Sequence, residues 1–175
     1  MKKAEFLEHL NNESNHRIFL FEALKMTKGQ VIEFGSGHGS TPFLREYCSQ
    51  AGREFLSFEN YPDWAAQTGS ELIAEWKDLP IFTPDVLFID HAPGERRQID
   101  LYQNRKTAKI IVIHDTEKGQ ADAGYQVRQH FSKFKWAVEL NTPGGGAGAA
   151  MVSNYVDISG LIGMKSGGFE ITAIQ

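Results

Sequence analysis

Apolar and polar positions along this chain change period several times, and the changes divide it into short elements. Between residues 15 and 27, Ile18, Phe21 and Leu24, with Phe19 beside them, recur at helical spacing. That predicts a helix with one buried stripe, stopped at Gly29. A shorter helical stretch covers residues 3–10. Gln30 to Phe34 reads as a strand, followed at once by a glycine-rich turn. A helix comes next, with Thr41 as N-cap and Pro42 in the first helical position, where its missing amide costs nothing. Phe43, Leu44, Tyr47, Cys48 and Ala51 then follow at helical spacing. A second strand runs from Arg53 to Phe58 and ends at Glu59, and Pro62 opens a helix with Trp64 and Leu72 on one face. Val86 to Ile89 and Ile110 to Ile113 are unbroken apolar runs, the kind buried on both faces of a parallel sheet. Between them a polar helix is expected over 95–106. Val127, Phe131 and Phe134 predict one more helix, and a hairpin of 136–142 and 149–156 follows around a glycine-rich connection.

Short apolar strands alternating with amphipathic stretches indicate an α/β domain, a doubly wound sheet covered by helices on both faces in three layers. The length of 175 residues suits a single domain spanning 1–175. Within it, 1–29 is an N-terminal helical segment, 30–156 the core, and 157–175 a weakly patterned tail with no assignable role. Composition changes this picture little. The net charge of −4 and scattered cations argue against a nucleic-acid partner. Cys48 is the only cysteine, so no internal disulfide exists and a reducing cytoplasm is expected. Two lysines near the start have no apolar run behind them, and no stretch approaches the roughly 20 apolar residues of a membrane span. The expectation is a cytoplasmic protein with no membrane partner.

The segment from Glu33 to Thr41, Glu-Phe-Gly-Ser-Gly-His-Gly-Ser-Thr, carries the strongest chemical signal. Gly35, Gly37 and Gly39 stand between a strand and a helix, where they let backbone approach a ligand and aim free amides at it. A nicotinamide fingerprint of the form G-x-G-x-x-G needs glycine or alanine at 40, where Ser40 stands. The pattern found is E-x-G-x-G-x-G. Glu59 ends the next strand, twenty residues after Gly39, where an acid can accept both ribose hydroxyls of a nucleoside.

Together with Val86-Leu-Phe-Ile-Asp-His-Ala-Pro-Gly-Glu-Arg-Arg97 and Ile111-Val-Ile-His-Asp-Thr-Glu117, these segments resemble class I S-adenosylmethionine-dependent methyltransferases, over roughly residues 30–155. The resemblance implies a Rossmann-like core with strand order 3-2-1-4-5-7-6, mostly parallel, its last strand antiparallel. It implies S-adenosylmethionine as cofactor, held by Glu33, Gly35, Ser36, Gly37, Gly39, Ser40, Thr41, Glu59 and Asp90. One departure stands out. Only 25 residues separate Glu59 from Asp85, so the third-strand region must be compact. A short strand is expected at Leu79–Phe82, with the adenine-contacting region around Trp76 to Asp78.

Ligands of open α/β sheets bind beyond the carboxyl ends of the strands. Asp90 and Asp115 follow the two strongest strands and belong there. In one reading they ligate Mg²⁺, which would acidify an acceptor hydroxyl, as in the catechol-type methyltransferases they resemble. In another no metal binds, and Asp90, Asp115 or a histidine (His91 or His114) takes the proton. In a third the two acids merely cap turns. Arg96 and Arg97 either hold an anionic substrate group or are solvated. His16 sits in a helix and calls for no explanation of its own. The expected activity is methyl transfer to a small molecule, at oxygen, with a homodimer left open as a means of covering the substrate. An NAD(P)-dependent oxidoreductase and a non-catalytic nucleoside-binding module on the same fold are the rival readings.

Overall fold

The computed structural model describes residues 15–141 and 148–174; the helix expected over 3–10 and most of the glycine-rich connection lie outside them. Nine strands form one sheet in the order β3-β2-β1-β4-β5-β7-β6-β9-β8. Strands β1 (Val31–Phe34), β2 (Phe55–Glu59), β3 (Glu71–Leu72), β4 (Val86–Ile89) and β5 (Ile110–His114) run parallel. Strands β6 (Trp136–Asn141) and β7 (Ala149–Ser153) form the expected hairpin, and β7 pairs antiparallel with β5. The expected order 3-2-1-4-5-7-6 is present in full.

The helices are α1 (His16–Met26), α2 (Thr41–Ala51), α3 (Pro62–Thr68), α4 (Arg97–Asn104) and α5 (Gln120–Tyr125). Alternation along the buried strands feeds two cores. Val86 and Phe88 join Val31, Ile110 and Val112 on the face covered by α1 and α2. Leu87 and Ile89 join Ile32, Phe34, Ile111 and Ile113 on the other, with Leu101 of α4. Every residue of β1, β4 and β5 is buried, which is why Val86–Ile89 and Ile110–Ile113 read as continuous apolar runs; in β1 the buried Glu33 interrupts the pattern.

Polar contacts fix the amino-terminal ends of the strands. Asp85 accepts the amides of Lys28 and Gly29 and pairs with Lys109 at 2.7 Å. Arg53 donates to the carbonyls of Leu24, Thr27 and Gly29, placing a cation at the carboxyl end of α1.

Four elements differ from the sequence expectation. Gly69, at φ +66°, ends α3 after Thr68, so Leu72 lies in β3 rather than on a helix face. The third strand therefore falls at Glu71–Leu72, paired with Phe58 and Glu59, and not at Leu79–Phe82. Pro80 deprives that later segment of a ladder donor, and Ile81 is 84% exposed. Val127, Phe131 and Phe134 are buried as expected, but a 3₁₀ segment (Arg128–Lys133) presents them, because Gln126 at φ +55° breaks the helix before it. Ser40, not Thr41, precedes the first turn of α2.

The tail also has structure. Strands β8 (Lys165–Ser166) and β9 (Phe169–Ala173) extend the sheet beyond β6, and Ile158, Leu161, Phe169 and Ile171 complete one core. No helix among the described residues is long and apolar enough to cross a membrane.

Candidate functional site

The glycine loop leaves β1 at its carboxyl end and turns into α2. Gly35 has φ +90°, and a Cβ there would lie 2.5 Å from the backbone of His91. Loop and β4 exit are thus in contact that only glycine permits. At Gly37 and Gly39 a Cβ would meet its nearest neighbours at 3.8 and 3.7 Å, ordinary van der Waals contact, so close approach demands glycine only at Gly35. The Gly37 amide donates to the Thr41 hydroxyl at 2.9 Å, and the amides of Ser40 and Thr41 turn back to the Gly37 carbonyl. The amides of His38 and Gly39 have no partner among the described residues. They stand at the positive end of α2, a fit for a carboxylate.

Glu33 is fully buried beneath the loop. Its carboxylate accepts hydroxyl hydrogens from Ser40, Thr41 (2.8 Å) and Ser57 (2.6 Å). Burial pushes its pKa up to about 7, with those three hydrogen bonds opposing the rise. The role this gives Glu33 is to shape the loop from below. Ser40, whose position broke the nicotinamide pattern, is spent on this contact. Glu59 is 5% exposed. One carboxylate oxygen accepts the Ser36 amide (3.0 Å) and hydroxyl, the other the amides of Asn60 and Tyr61 (both 2.9 Å). It ties the loop to the end of β2, at the rim where a ribose would lie. Trp64 donates its indole N–H to the Ser36 carbonyl and meets His38 edge-on.

The second half of the crevice lies beyond β4 and β5. Asp90, with a quarter of its side chain exposed, contacts Arg97 at 3.1 Å and His114 Nδ1 at 3.3 Å. Burial would raise its pKa, but His114 and Arg97 hold it below the usual carboxylate range. Burial alone would lower His114, yet Asp90 and Asp115 keep it above its ordinary value. Asp115 adopts φ +55° and pairs with Arg97 at 2.8 Å. His16, at the start of α1, stacks on Phe88 and meets His114 edge-on at 4.6 Å. Burial, and next to it the His114 charge, pull its pKa down to about 3, so the imidazole is neutral. Arg17 reaches over the loop to the Gly39 carbonyl at 2.7 Å.

Asp90 and Asp115 therefore come together as expected, but not around a shared magnesium ion. The Arg97 guanidinium bridges them and also donates to the carbonyls of His91 and His114. A cation is already built in where the two carboxylates converge, and these residues do not fit Mg²⁺. Arg97 is 6% exposed, so the reading of it as a solvated side chain or a substrate clamp is corrected. His91 is not placed as a proton acceptor. It is buried, stacked on Trp76 at 4.4 Å and held by Asp100 at 2.9 Å. Trp76 is itself buried and donates to the Ala92 carbonyl, so it packs the β4 exit. Sequence reasoning missed His16 and Arg17. They lie far from the strand ends in sequence, and only the docking of α1 against β5 and β7 brings them there.

No family model matches the chain, and neither does any curated protein. Solved structures do match. A probable spermidine synthase from Corynebacterium glutamicum aligns with TM-score 0.65 at 10% identity, over 97% of this chain and 77% of that one. The O-methyltransferase TomG from Streptomyces achromogenes, involved in tomaymycin synthesis and solved with S-adenosylmethionine, gives 0.56 at 14% identity, over 84% and 82%. An O-methyltransferase from Bacillus cereus, solved with S-adenosylhomocysteine, gives 0.53 at 12% identity, over 86% of each chain. The chain has the class I methyltransferase fold.

Proposed function

We propose that this protein is an S-adenosylmethionine-dependent methyltransferase acting at an oxygen of a small molecule. One observation carries the reading. The strand-to-helix loop is pressed against the β4 exit by a glycine that no other residue can replace, and the amides of His38 and Gly39 that it carries have no partner among the described residues. The residues fit the cofactor. The free amides of His38 and Gly39, with Arg17 beside them, suit its amino-acid carboxylate, and Glu59 stands where its ribose hydroxyls would lie. When bound, the sulfonium supplies an electrophilic methyl group.

The chain's own residues do the remainder. Asp90 and Asp115 line the opposite side of the crevice, and their pairing with Arg97 fixes their direction. A partly exposed carboxylate there orients an acceptor hydroxyl and takes its proton as the oxygen attacks. In-line transfer asks for alignment and a deprotonated oxygen, not for a protein nucleophile. A small-molecule acceptor and a cytoplasmic setting belong to the same proposal. The single-domain reading does too, with the tail as part of the sheet.

Titration calorimetry with S-adenosylhomocysteine and with NADH tests the cofactor. Binding of the first and silence with the second is expected, and the reverse result overturns the reading. Transfer of a labelled methyl group, scanned over phenols, alcohols and amines, then tests the acceptor atom.

A further inference from the structure

Within the described residues one group of metal-capable side chains stands apart from the loop: His16, Asp90 and His114, whose ligand atoms all lie within 4.8 Å of one another. They come from three separately anchored places, the first turn of α1, the exit of β4 and the last residue of β5. We propose that they form a site for a borderline transition-metal dication of the zinc and cobalt kind. The observation behind it is His16. Both of its ring nitrogens are buried and neither has a hydrogen-bond partner among the described residues. An imidazole always carries at least one N–H or lone pair that asks for a partner, and buried polar atoms in folded proteins almost always have one. Stacking on Phe88 supplies none.

The chemistry of the donor set selects the ion. Two imidazoles and one carboxylate match three-ligand zinc sites, which keep a fourth position open. Magnesium prefers an all-oxygen shell, and the acid it would need, Asp115, is engaged by Arg97. Donors around one tetrahedral ion, bound at about 2.0–2.2 Å, stand about 3.4 Å apart, so the three side chains draw inward by roughly an ångström on binding. His114 Nδ1 already faces Asp90 Oδ1 at 3.3 Å. Arg97 occupies one side of Asp90 Oδ1 and offsets the charge that the carboxylate and Asp115 bring. His16 Nε2 lies beside the glycine loop, where a Cβ on Gly39 would sit 3.7 Å from it. That the bound ion would take an acceptor oxygen and ease loss of its proton rests on the methyltransferase reading; the site itself does not.

Metal-free full-length protein titrated with Co²⁺ should develop the visible ligand-field bands of four-coordinate cobalt at one equivalent, and Zn²⁺ should abolish them. His16→Gln and His114→Gln should each weaken Co²⁺ binding at least about 100-fold. His130→Gln, at a distant histidine, should leave the bands unchanged. If His16→Gln fails to fold by circular dichroism, His114→Gln carries the same comparison. Absence of the bands, or bands that survive both substitutions, overturns the site. Calorimetry with S-adenosylhomocysteine on the same metal-free sample separates the two proposals. Cofactor binding without cobalt binding overturns the metal site alone, and cobalt binding without cofactor binding overturns the methyltransferase reading alone.

Discussion

The two halves of the crevice are built on opposite principles. On the β1–β2 side every carboxylate oxygen has protein donors: Glu33 takes three hydroxyls, and Glu59 takes three amides and a hydroxyl. On the β4–β5 side charge is concentrated around one guanidinium, Asp115 sits at φ +55°, and neither ring nitrogen of His16 has a partner among the described residues. The first half is finished by its own chain, and what it offers a ligand is backbone shape and free amides. The second half stores unsatisfied polar groups and a residue in a sparsely populated conformation, features that concentrate at functional sites. Under the proposed function, recognition of the cofactor would fall to the first half and handling of the acceptor to the second.

The contact between the halves is where the largest effect is expected. Gly35→Ala places a methyl 2.5 Å from the His91 backbone in a conformation, φ +90°, that L-residues avoid. Strain and overpacking together should cost about 4 kcal/mol or more. Urea unfolding should show a collapse of the midpoint, and a loss under 1 kcal/mol would mean that loop and β4 exit are less tightly joined than described. Arg97→Met comes next. It removes the donor to two carbonyls and two carboxylates at a site 6% exposed, and should cost about 3 kcal/mol. The loss should also leave S-adenosylhomocysteine binding less affected than folding, since Arg97 supports the acceptor half.

The two halves also differed in how much of them could be read from the sequence. Glu33, the three glycines, Ser36 and Glu59 are local signals, because a strand, a turn and a helix start occupy adjacent positions. The sheet order followed from the resemblance to class I methyltransferases; the apolar runs of β4 and β5 and the 136–156 hairpin, as local signals, gave only the strands themselves. His16 belongs to a helix whose stripe, Ile18, Phe21 and Leu24, only announces burial. Nothing local says that its first turn points at β5. Arg97 reads as one of an exposed arginine pair until the β4 exit folds over it. The third strand was misplaced because Gly69 acts as a helix stop inside an apolar pattern, and Pro80 makes the more apolar Leu79–Phe82 unfit for a ladder. The tail's β9 alternates buried and exposed positions between β6 and the two-residue edge strand β8, and pairing with these neighbours rather than propensity selects it.

Glu33→Gln tests whether the finished half is also a titrating one. The folded-state pKa of about 7 exceeds the ordinary 4.5, so the folded protein holds this proton over an interval in which the unfolded chain has released it. The linked stability is fully present below about pH 4.5 and falls as pH rises through about 7, by a total of about 3 kcal/mol. Glutamine cannot titrate. Denaturation at several pH values should therefore show the variant gaining on the parent from pH 4.5 to 7.5, and parallel curves would remove Glu33 as the cause.

Glu59→Gln should have the smallest effect on folding and the most direct one on the cofactor. An amide NH₂ in place of one oxygen faces N–H groups it cannot accept from, either at Ser36 or at Asn60 and Tyr61. The expected cost is about 1–2 kcal/mol, since one set of contacts survives when the amide turns its oxygen toward it. The ribose of a bound nucleoside would lose an acceptor of its hydroxyl hydrogens at the same time. Calorimetry at a temperature where both proteins are fully folded should show S-adenosylhomocysteine binding weakened about tenfold. A variant that loses stability but binds the cofactor unchanged would confine Glu59 to its loop contacts and assign the ribose hydroxyls to another acceptor. A variant that keeps its stability and loses binding would show that the four contacts to Glu59 contribute little to folding, and that this carboxylate is placed for the ligand.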